Sequence, residues 1–299
     1  MAKIGFIGLG HMGQPMCLNL LKNKNQVKVY DLAKEAVDSL VDHGALKAND
    51  LADIVDDVDI VISMLPEGKH VSQVYFGEHG LLSHAKKPLF FADCSTIDVQ
   101  TAQTIAQKAK SLGHQIVDAP VSGGVKGAEN ALLTFMVGGS LSDFEHIKPI
   151  LAQMGKNIFH AGDNGMGQAV KICNNLMLAI NMIGTSEAFA LAEKLGLSKE
   201  KLFEVASTSS GQSWSLTSYC PVPGPLPASP ANFDYKAGFT AQMMLKDLKL
   251  ANTLSSEIQL PLGQKAMDLY ESFCADNNAG LDFSGIYLKI TDNINKKNT

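Results

Sequence analysis

The stretch GMGQAVKICNNLM, residues 165–177, places a cation and an amide inside an apolar helical pattern. Lys171 and Asn175 are four residues apart, so their side chains share one face of the predicted helix. A buried cation is costly unless something compensates for it. Lys171 is therefore either a core lysine whose ammonium reaches solvent or a group whose proton is exchanged.

The first apolar run leads into a glycine-rich turn, IGFIGLGHMGQPM at residues 4–16. Gly8 permits the tight turn, Gly10 lets the backbone approach a pyrophosphate, and Gly13 lets the next helix pack closely on the strand. The N-terminus of that helix offers free N–H groups to the phosphates. We assign the turn as a dinucleotide site, with three intervening residues as further contacts: Leu9, His11 and Met12.

An acidic residue, Asp31, ends the second predicted strand, eighteen residues after Gly13. A carboxylate at this place accepts hydrogen bonds from a ribose diol and repels a 2′-phosphate. No arginine follows Asp31 directly, so we expect NAD rather than NADP as the cofactor. The alternative is a glycine turn without a ligand and an aspartate that is merely exposed to solvent.

Two further strands end at the sheet edge where ligands of doubly wound folds bind. Leu65 and Pro66 end one of them and are assigned to the cofactor site. Thr96 follows the other, and we assign its hydroxyl to the cofactor. Cys94 would need an activating base to act as a nucleophile, and none is evident nearby in the sequence.

A second glycine cluster, DAPVSGGVKGAEN at residues 118–130, follows another predicted strand. Ser122, Gly123 and Gly124 can form a concavity of backbone N–H groups and one hydroxyl that suits a small carboxylate. An ordinary turn with left-handed glycines is the alternative.

Residues 1–163 alternate short apolar runs with helical patterns, which predicts a doubly wound, parallel α/β domain. Continuous apolar runs are expected of parallel strands that are covered on both faces. The predicted strands are residues 3–9, 27–31, 59–65, 89–95, 115–120, 132–139 and 157–162, and helical patterns include 12–22, 33–43 and 98–112.

Residues 164–299 are predicted to form an all-α domain that begins with a long helix at 165–194. A helix of that length often connects two domains. Residues 219–230 contain five of the eleven prolines and are predicted to be an ordered loop. The remaining expectations are helices near 198–208, 240–258 and 261–276, and a frayed tail at 292–299.

The composition of the 299 residues, 45% hydrophobic and 18% charged, is that of a globular protein. A net charge of −5 argues against a nucleic-acid binder. No uninterrupted apolar run approaches about 18 residues, so no membrane span is expected. The five cysteines form no C-x-x-C pair and no zinc motif is present, so we expect free thiols and no metal. The chain passes directly from MAK into a strand, and we expect no signal peptide and a cytoplasmic location.

Four segments, in this order, resemble the β-hydroxyacid dehydrogenase family: residues 4–16, 118–124, 165–175 and 246–251. Within that family, WSLTSYCPVPG at 214–224 and YKAGFTAQMMLKDL at 235–248 are most similar to the 3-hydroxyisobutyrate dehydrogenases. The resemblance implies an N-terminal Rossmann domain, a long interdomain helix and an all-α C-terminal domain that builds a homodimer or homotetramer. It also implies NAD-dependent oxidation of 3-hydroxyisobutyrate to methylmalonate semialdehyde in valine breakdown.

The resemblance also implies roles by position. Lys171 matches the catalytic lysine and Asn175 its partner on the helix, and the Ser122-Gly123-Gly124 cluster matches the loop that holds the substrate carboxylate. Lys246 and Asp247, together with Thr96, match cofactor contacts.

For catalysis, the lysine must lose its proton before it can act. A free lysine, with a pKa of about 10.4, is a poor base at neutral pH. Burial and a nearby positive charge, from the oxidised nicotinamide ring or Lys246, would lower the pKa of Lys171. Trp214 and Phe239 would cover the apolar side of the substrate, and the alternative for Trp214 is an ordinary packing residue.

Three other functions compete with this interpretation. The nearest is another β-hydroxyacid dehydrogenase, such as a tartronate semialdehyde reductase. A decarboxylating enzyme of the 6-phosphogluconate type is disfavoured because no basic cluster for a sugar phosphate is apparent. A non-catalytic dinucleotide-binding module remains possible on fold grounds, but the intact pair of Lys171 and Asn175 argues against it.

Overall fold

The computed structural model describes residues 1–78, 80–253 and 258–296. Contacts between residues divide the chain into two compact units, Met1–Lys171 and Ile172–Thr299. This division falls inside one helix, whereas the boundary predicted at 163/164 assigns the whole helix to the second domain.

The first unit is built around a mainly parallel sheet. Its strands are β1 Lys3–Ile7, β2 Gln26–Tyr30, β3 Leu46–Lys47, β4 Ile60–Ser63, β5 Phe90–Asp93, β6 Gln115–Asp118, β7 Val121–Ser122, β8 Leu133–Gly138 and β9 Gly155–Gly162. Among the described residues their order is β3-β2-β1-β4-β5-β6-β8-β7, with β9 beside β8. β1 to β6 pair in parallel with one another, and β8 runs antiparallel to β6 and β7 and parallel to β9.

All seven strands predicted from the sequence are present, with ends that differ by at most two residues. β3 and β7, of two residues each, are absent from the prediction, since so short a strand leaves no hydrophobic period to detect.

Helices cover both faces of this sheet. They are α1 Gly13–Lys22, α2 Lys34–Val41, α3 Leu51–Ile54, α4 Gly68–Phe76, α5 Leu81–His84, α6 Val99–Ser111, α7 Gly124–Glu129 and α8 Leu141–Leu151. Successive residues of β4 belong to different apolar clusters: Ile60 and Ile62 to one, Val61 to the other. The strand is therefore buried on both faces, which is the physical reason for its continuous apolar sequence.

A single helix, α9 Met166–Lys194, runs from the first unit into the second. Its length and hydropathy are sufficient to cross a membrane, and 44% of its most apolar window is buried inside the structure. One such helix is weak evidence for a membrane span, because core helices of soluble proteins have the same properties.

The second unit is helical. Its helices after α9 are α10 Lys199–Ala206, α11 Trp214–Thr217, α12 Ala241–Asn252, α13 Pro261–Phe273 and α14 Ile286–Lys296. The predicted loop at 219–230 is confirmed, because helix begins only with a short 3-10 turn at Pro230–Asn232. The helix predicted at 240–258 ends at Asn252, and its part at 254–257 lies outside the described residues.

The expectation of a frayed tail from residue 292 is wrong as far as Lys296, because α14 continues to that residue. Ile286, Tyr287 and Ile290 in its first half are buried in the apolar cluster of the second unit, and this packing stabilises the helix. Residues 297–299 lie outside the described residues.

Candidate active site

The glycine turn after β1 has the geometry that a dinucleotide pyrophosphate requires. Gly8 has a φ of 90°, and a Cβ atom on Gly13 would lie 1.8 Å from the carbonyl oxygen of Gly8. At Gly10, by contrast, no described atom lies within 4 Å of the Cβ position. α1 begins at Gly13 with no side-chain cap on its first N–H groups. The open space over Gly10 and the uncapped helix end together fit a bound pyrophosphate.

The carboxylate of Asp31, directly after β2, is hydrogen-bonded to this turn. Its Oδ2 accepts from the backbone N–H of Leu9 at 2.6 Å, and its Oδ1 accepts from that of Ala33 at 2.8 Å. The structure therefore brings Asp31 and the turn together, as the sequence predicted. Of the other residues assigned to the turn, Met12 is half-buried and His11 is exposed.

The segments that carry Leu65 and Thr96 are joined through one hydroxyl. The Leu65 N–H donates to Ser95 Oγ at 2.9 Å, and Ser95 Oγ donates to Asp93 Oδ1 at 2.6 Å. β4 and β5 are neighbours, so both segments leave the same edge of the sheet. Pro66 lies exposed at that edge.

The cysteine in this region, Cys94, is fully buried. Burial, and to a smaller extent the charge of Asp93, raises the pKa of its thiol. The sequence shows no activating base near Cys94, and a buried thiol with a raised pKa is likewise a poor nucleophile.

The first turn of α9 is anchored to the same part of the sheet by Gln168, which is fully buried. Its amide oxygen accepts from the Ile97 N–H at 3.0 Å, and its amide nitrogen donates to the Ser95 carbonyl at 2.8 Å. These two bonds hold the backbone on both sides of Thr96.

Asp118, at the end of β6, provides a second anchor for α9. Its carboxylate accepts from the N–H of Gly165 at 2.7 Å and from that of Gln168 at 3.0 Å. Burial raises the pKa of Asp118 to about 6, although these N–H donors act in the opposite direction. Lys171 follows in the next turn of the same helix.

The second glycine cluster follows β6 and includes β7. Gly123 and Gly124 have φ values of 129° and 63°, and α7 begins at Gly124. Ser122 is half-buried and pairs with Thr134 of β8. No described atom lies within 4 Å of the Cβ position of Gly124. The positive φ values and the open space beside Gly124 are compatible both with an ordinary turn and with a concavity that binds a carboxylate.

The predicted catalytic pair lies on α9, and both members are buried: Lys171 is 8% exposed and Asn175 is 2% exposed. Asn175 Nδ2 donates to Asp247 Oδ2 on α12 at 2.5 Å. Asn175 Oδ1 accepts from Asn174 Nδ2 at 3.0 Å. Asp247 is thus a hydrogen-bond partner of Asn175, a contact that sequence reasoning did not include.

Lys246, the neighbour of Asp247 on α12, places its ammonium 3.3 Å from Asp247 Oδ1. About a quarter of the Lys246 side chain is exposed, whereas Asp247 is almost fully buried. The positive charge expected from Lys246 is therefore paired with a carboxylate of its own helix.

Four aromatic residues of the second unit are joined by a continuous series of ring contacts. The ring of Trp214, 50% exposed, stacks on Tyr219 with centroids 4.9 Å apart. Tyr219 stacks on Phe283 at 5.3 Å, and Phe239 meets the same phenylalanine edge-on at 5.6 Å. We call these four residues, Trp214, Tyr219, Phe239 and Phe283, the aromatic wall. Two of them were assigned from the sequence to the apolar side of the substrate.

Sequence reasoning missed three buried polar residues that fix these segments, namely Asp118, Gln168 and Asp282. The first two lie inside the glycine-rich motifs quoted above, but nothing in those motifs indicates which backbone groups they bind. Asp282 precedes Phe-Ser-Gly and looks like a helix cap.

Two family models together cover nearly all of the chain. Residues 3–162 match the NAD binding domain of 6-phosphogluconate dehydrogenase. Residues 165–290 match the model described as NAD-binding of NADP-dependent 3-hydroxyisobutyrate dehydrogenase.

Three relatives are similar over almost the full length. A 3-hydroxyisobutyrate dehydrogenase of Pseudomonas aeruginosa is 47% identical over 96% of this chain and 97% of its own. An NAD-dependent L-serine dehydrogenase of the same organism is 46% identical over 95% of this chain and 96% of its own. The structure of Mycobacterium tuberculosis 3-hydroxyisobutyrate dehydrogenase with L-serine has a TM-score of 0.92 and 43% identity, over 97% of this chain and 99% of that one.

Proposed function

We propose that this chain, which belongs to the 3-hydroxyisobutyrate dehydrogenase family of NAD-dependent oxidoreductases, oxidises 3-hydroxyisobutyrate to methylmalonate semialdehyde. This activity would be a step of valine breakdown. The observation that supports the choice of substrate is the aromatic wall, whose tyrosine hydroxyl is bonded to Asp282. The second candidate is L-serine, since one relative is named for that substrate.

The two candidates share a hydroxymethyl group and a carboxylate and differ only at the central carbon. 3-Hydroxyisobutyrate carries a methyl group there, and serine carries an ammonium group. Burial of a methyl group against aromatic rings is favourable, whereas an ammonium there loses more hydration than its cation–π attraction to the rings returns, unless a carboxylate or carbonyl accepts its protons. Trp214 and Phe239 therefore favour the methyl-bearing acid.

In the proposed reaction, NAD when bound accepts the hydride that leaves the hydroxyl-bearing carbon. The Lys171 amine takes the hydroxyl proton as the carbonyl forms, and in the reductive direction the ammonium returns it. Asn175, whose Nδ2 is bonded to Asp247, turns its Oδ1 to the N–H or O–H groups of that exchange. Ser122 and the N–H groups of Gly123 and Gly124 hold the substrate carboxylate.

Most of the proposed cofactor contacts are residues of the first unit. The turn Gly8–Gly13 takes the pyrophosphate and Asp31 takes the adenosine ribose, with Leu65, Pro66 and Thr96 beside them. Asp31 is the reason to expect NAD over NADP, because its carboxylate is fixed by Leu9 and would repel a 2′-phosphate. In the second unit, Lys246 and Asp247 are the proposed contacts.

We also propose a homodimer or homotetramer. In the second unit, α9 exposes a row of mostly apolar and small side chains at helical spacing, namely Cys173, Met177, Asn181, Gly184, Ala188 and Leu191. An apolar row along a helix of this length is typical of a protein interface. Analytical ultracentrifugation should show an assembly that Met177→Glu and Leu191→Glu dissociate.

The experiment that tests the function is a substrate panel with both cofactors. We expect kcat/KM to be highest for 3-hydroxyisobutyrate with NAD, and to fall for L-serine, for glycerate and for reduction of tartronate semialdehyde. A higher value for serine would establish the second candidate. Preference for NADP would contradict the role of Asp31, and the absence of any nicotinamide absorbance change across the panel would contradict a dehydrogenase.

A further inference from the structure

A fully buried carboxylate, Asp282, lies behind the aromatic wall and joins three separate segments of the second unit. Its Oδ2 accepts from the Tyr219 hydroxyl at 2.9 Å, from the Gly238 N–H at 2.9 Å and from the Phe239 N–H at 3.2 Å. Tyr219 and Phe239 are both members of the wall, so one oxygen atom contacts the two segments that carry them.

The other oxygen of Asp282 is held by its own segment. Oδ1 accepts from the N–H of Ser284 at 3.0 Å and from its hydroxyl at 2.7 Å. Five donors therefore surround one carboxylate. A buried charge with this number of partners has one orientation, and the donors around it are fixed in turn.

The direction of the Tyr219 hydroxyl follows from this arrangement. Because the Tyr219 hydroxyl donates to Asp282, Tyr219 contacts the neighbouring Trp214 only with its ring face. The two rings are 19° from parallel. Burial and the charge of Asp282 both raise the pKa of Tyr219, so its hydroxyl remains a donor at any physiological pH.

The glycine beside this bond has a steric role. A Cβ atom on Gly238 would lie 2.9 Å from the Tyr219 hydroxyl oxygen and 3.8 Å from Asp282 Oδ2. A methyl group at residue 238 would therefore displace the Tyr219 hydroxyl and strain its bond to Asp282.

We propose that Asp282 is the positioning residue of the aromatic wall: it fixes Tyr219 and Phe239 so that the wall presents rings and no polar group, and thereby selects β-hydroxy acids with an apolar substituent. The part about selection rests on the proposed function, in which the wall contacts the substrate. The part about positioning does not depend on the identity of the substrate.

The test uses the fact that Trp214 is the only tryptophan of the chain. Its emission reports on the wall without any substrate. Asp282→Asn and Gly238→Ala should shift that emission to longer wavelength and increase its quenching by acrylamide, because Tyr219 no longer holds the indole. Asp276→Asn is the matched control, since Asp276 is half-exposed and pairs only with Lys289 among the described residues.

The same variants are then assayed with the acid that the wild type prefers in the panel. KM for that acid should rise about tenfold, which corresponds to about 1.4 kcal/mol, while KM for NAD stays unchanged. If Asp282 only supported the fold, its substitution would lower the melting temperature and the fraction of active enzyme, but KM for the acid would not rise relative to KM for NAD. Tyr219→Phe, which retains the ring, should show a smaller change in KM than Asp282→Asn.

Unchanged Trp214 emission in folded Asp282→Asn and Gly238→Ala would overturn the positioning role. Altered emission with unchanged KM for the acid would overturn the selection role. Should Asp282→Asn fail to fold, Gly238→Ala and Tyr219→Phe decide both points. If instead the proposed function is wrong, the wild-type panel shows it through a different preferred acid, while the emission result stands by itself.

Discussion

Asn175 on α9 donates its amide N–H to Asp247 Oδ2 on α12, at 2.5 Å. A carboxylate accepts hydrogen bonds and does not donate them, so the Asn175 nitrogen faces Asp247 and its oxygen faces away. The sequence alone predicted only that the amide would fix the lysine or the substrate hydroxyl. The structure makes its contribution more specific, because the end of the amide that faces away from Asp247 is an acceptor, which also accepts from Asn174 Nδ2.

This relationship predicts that Asp247→Asn lowers kcat about ten- to hundredfold, since an amide at residue 247 can offer Asn175 a donor where an acceptor is needed. Steady-state assays with saturating NAD measure the effect. Asp268→Asn, a change of an exposed aspartate on α13, is the control and should leave kcat unchanged. An Asp247→Asn enzyme with wild-type kcat would show that the orientation of Asn175 does not matter.

Lys171→Ala should lower kcat by about a thousandfold or more, because no other group is proposed to take the hydroxyl proton. NAD affinity, measured by calorimetry, should change only a few-fold, because the proposed cofactor contacts lie elsewhere. Lys194→Ala, at the exposed end of the same helix, serves as the comparison and should keep full activity. Substantial turnover by Lys171→Ala would contradict the assignment of the base.

Two glycines of the turn after β1 should respond differently to the same substitution. Gly13→Ala places a methyl group 1.8 Å from the Gly8 carbonyl oxygen, so the backbone must move and the melting temperature should fall. Gly10→Ala meets no described atom within 4 Å, so the melting temperature should be unchanged while KM for NAD rises about tenfold or more. Normal NAD binding by Gly10→Ala would mean that the pyrophosphate does not approach this glycine.

The contrast between these glycines and Asp282 shows what the sequence could predict. The strands of the first unit and the glycine turn follow from local patterns: continuous apolar runs, glycines at fixed spacing and an acid after β2. Residues that act within one short segment were therefore predicted, as Gly8–Gly13 illustrates, whereas the hydrogen bond from the Leu9 N–H to Asp31 was not.

Contacts between distant segments could not be predicted in this way. Asp282 accepts hydrogen bonds from Gly238, which is 44 positions away in the sequence, and from Tyr219, which is 63 positions away. Nothing near Asp282 in the sequence indicates these partners, because they are set by how the helices and loops of the second unit pack. The same holds for Asp247, which is 72 positions from Asn175. The continuation of α14 to Lys296 was missed for a related reason, since its stability comes from burial of its apolar face and not from its polar end.

The carboxylate of Asp118 leads to a prediction about pH. Its pKa is raised by burial to about 6, against 3.8 for the unperturbed group, so the folded chain binds this proton more tightly than the unfolded chain. The stabilising contribution of the group is therefore complete below pH 3.8 and is lost as the pH rises through about 6, a change of about 3 kcal/mol in the free energy of unfolding.

Asp118→Asn removes this dependence, and the slope of unfolding free energy against pH, from urea titrations between pH 4 and 6, should become more positive by up to about 1.4 kcal/mol per pH unit. Asp42→Asn, at an exposed residue after α2, should leave the slope as in the wild type. Equal slopes for Asp118→Asn and the wild type would exclude a raised pKa at Asp118.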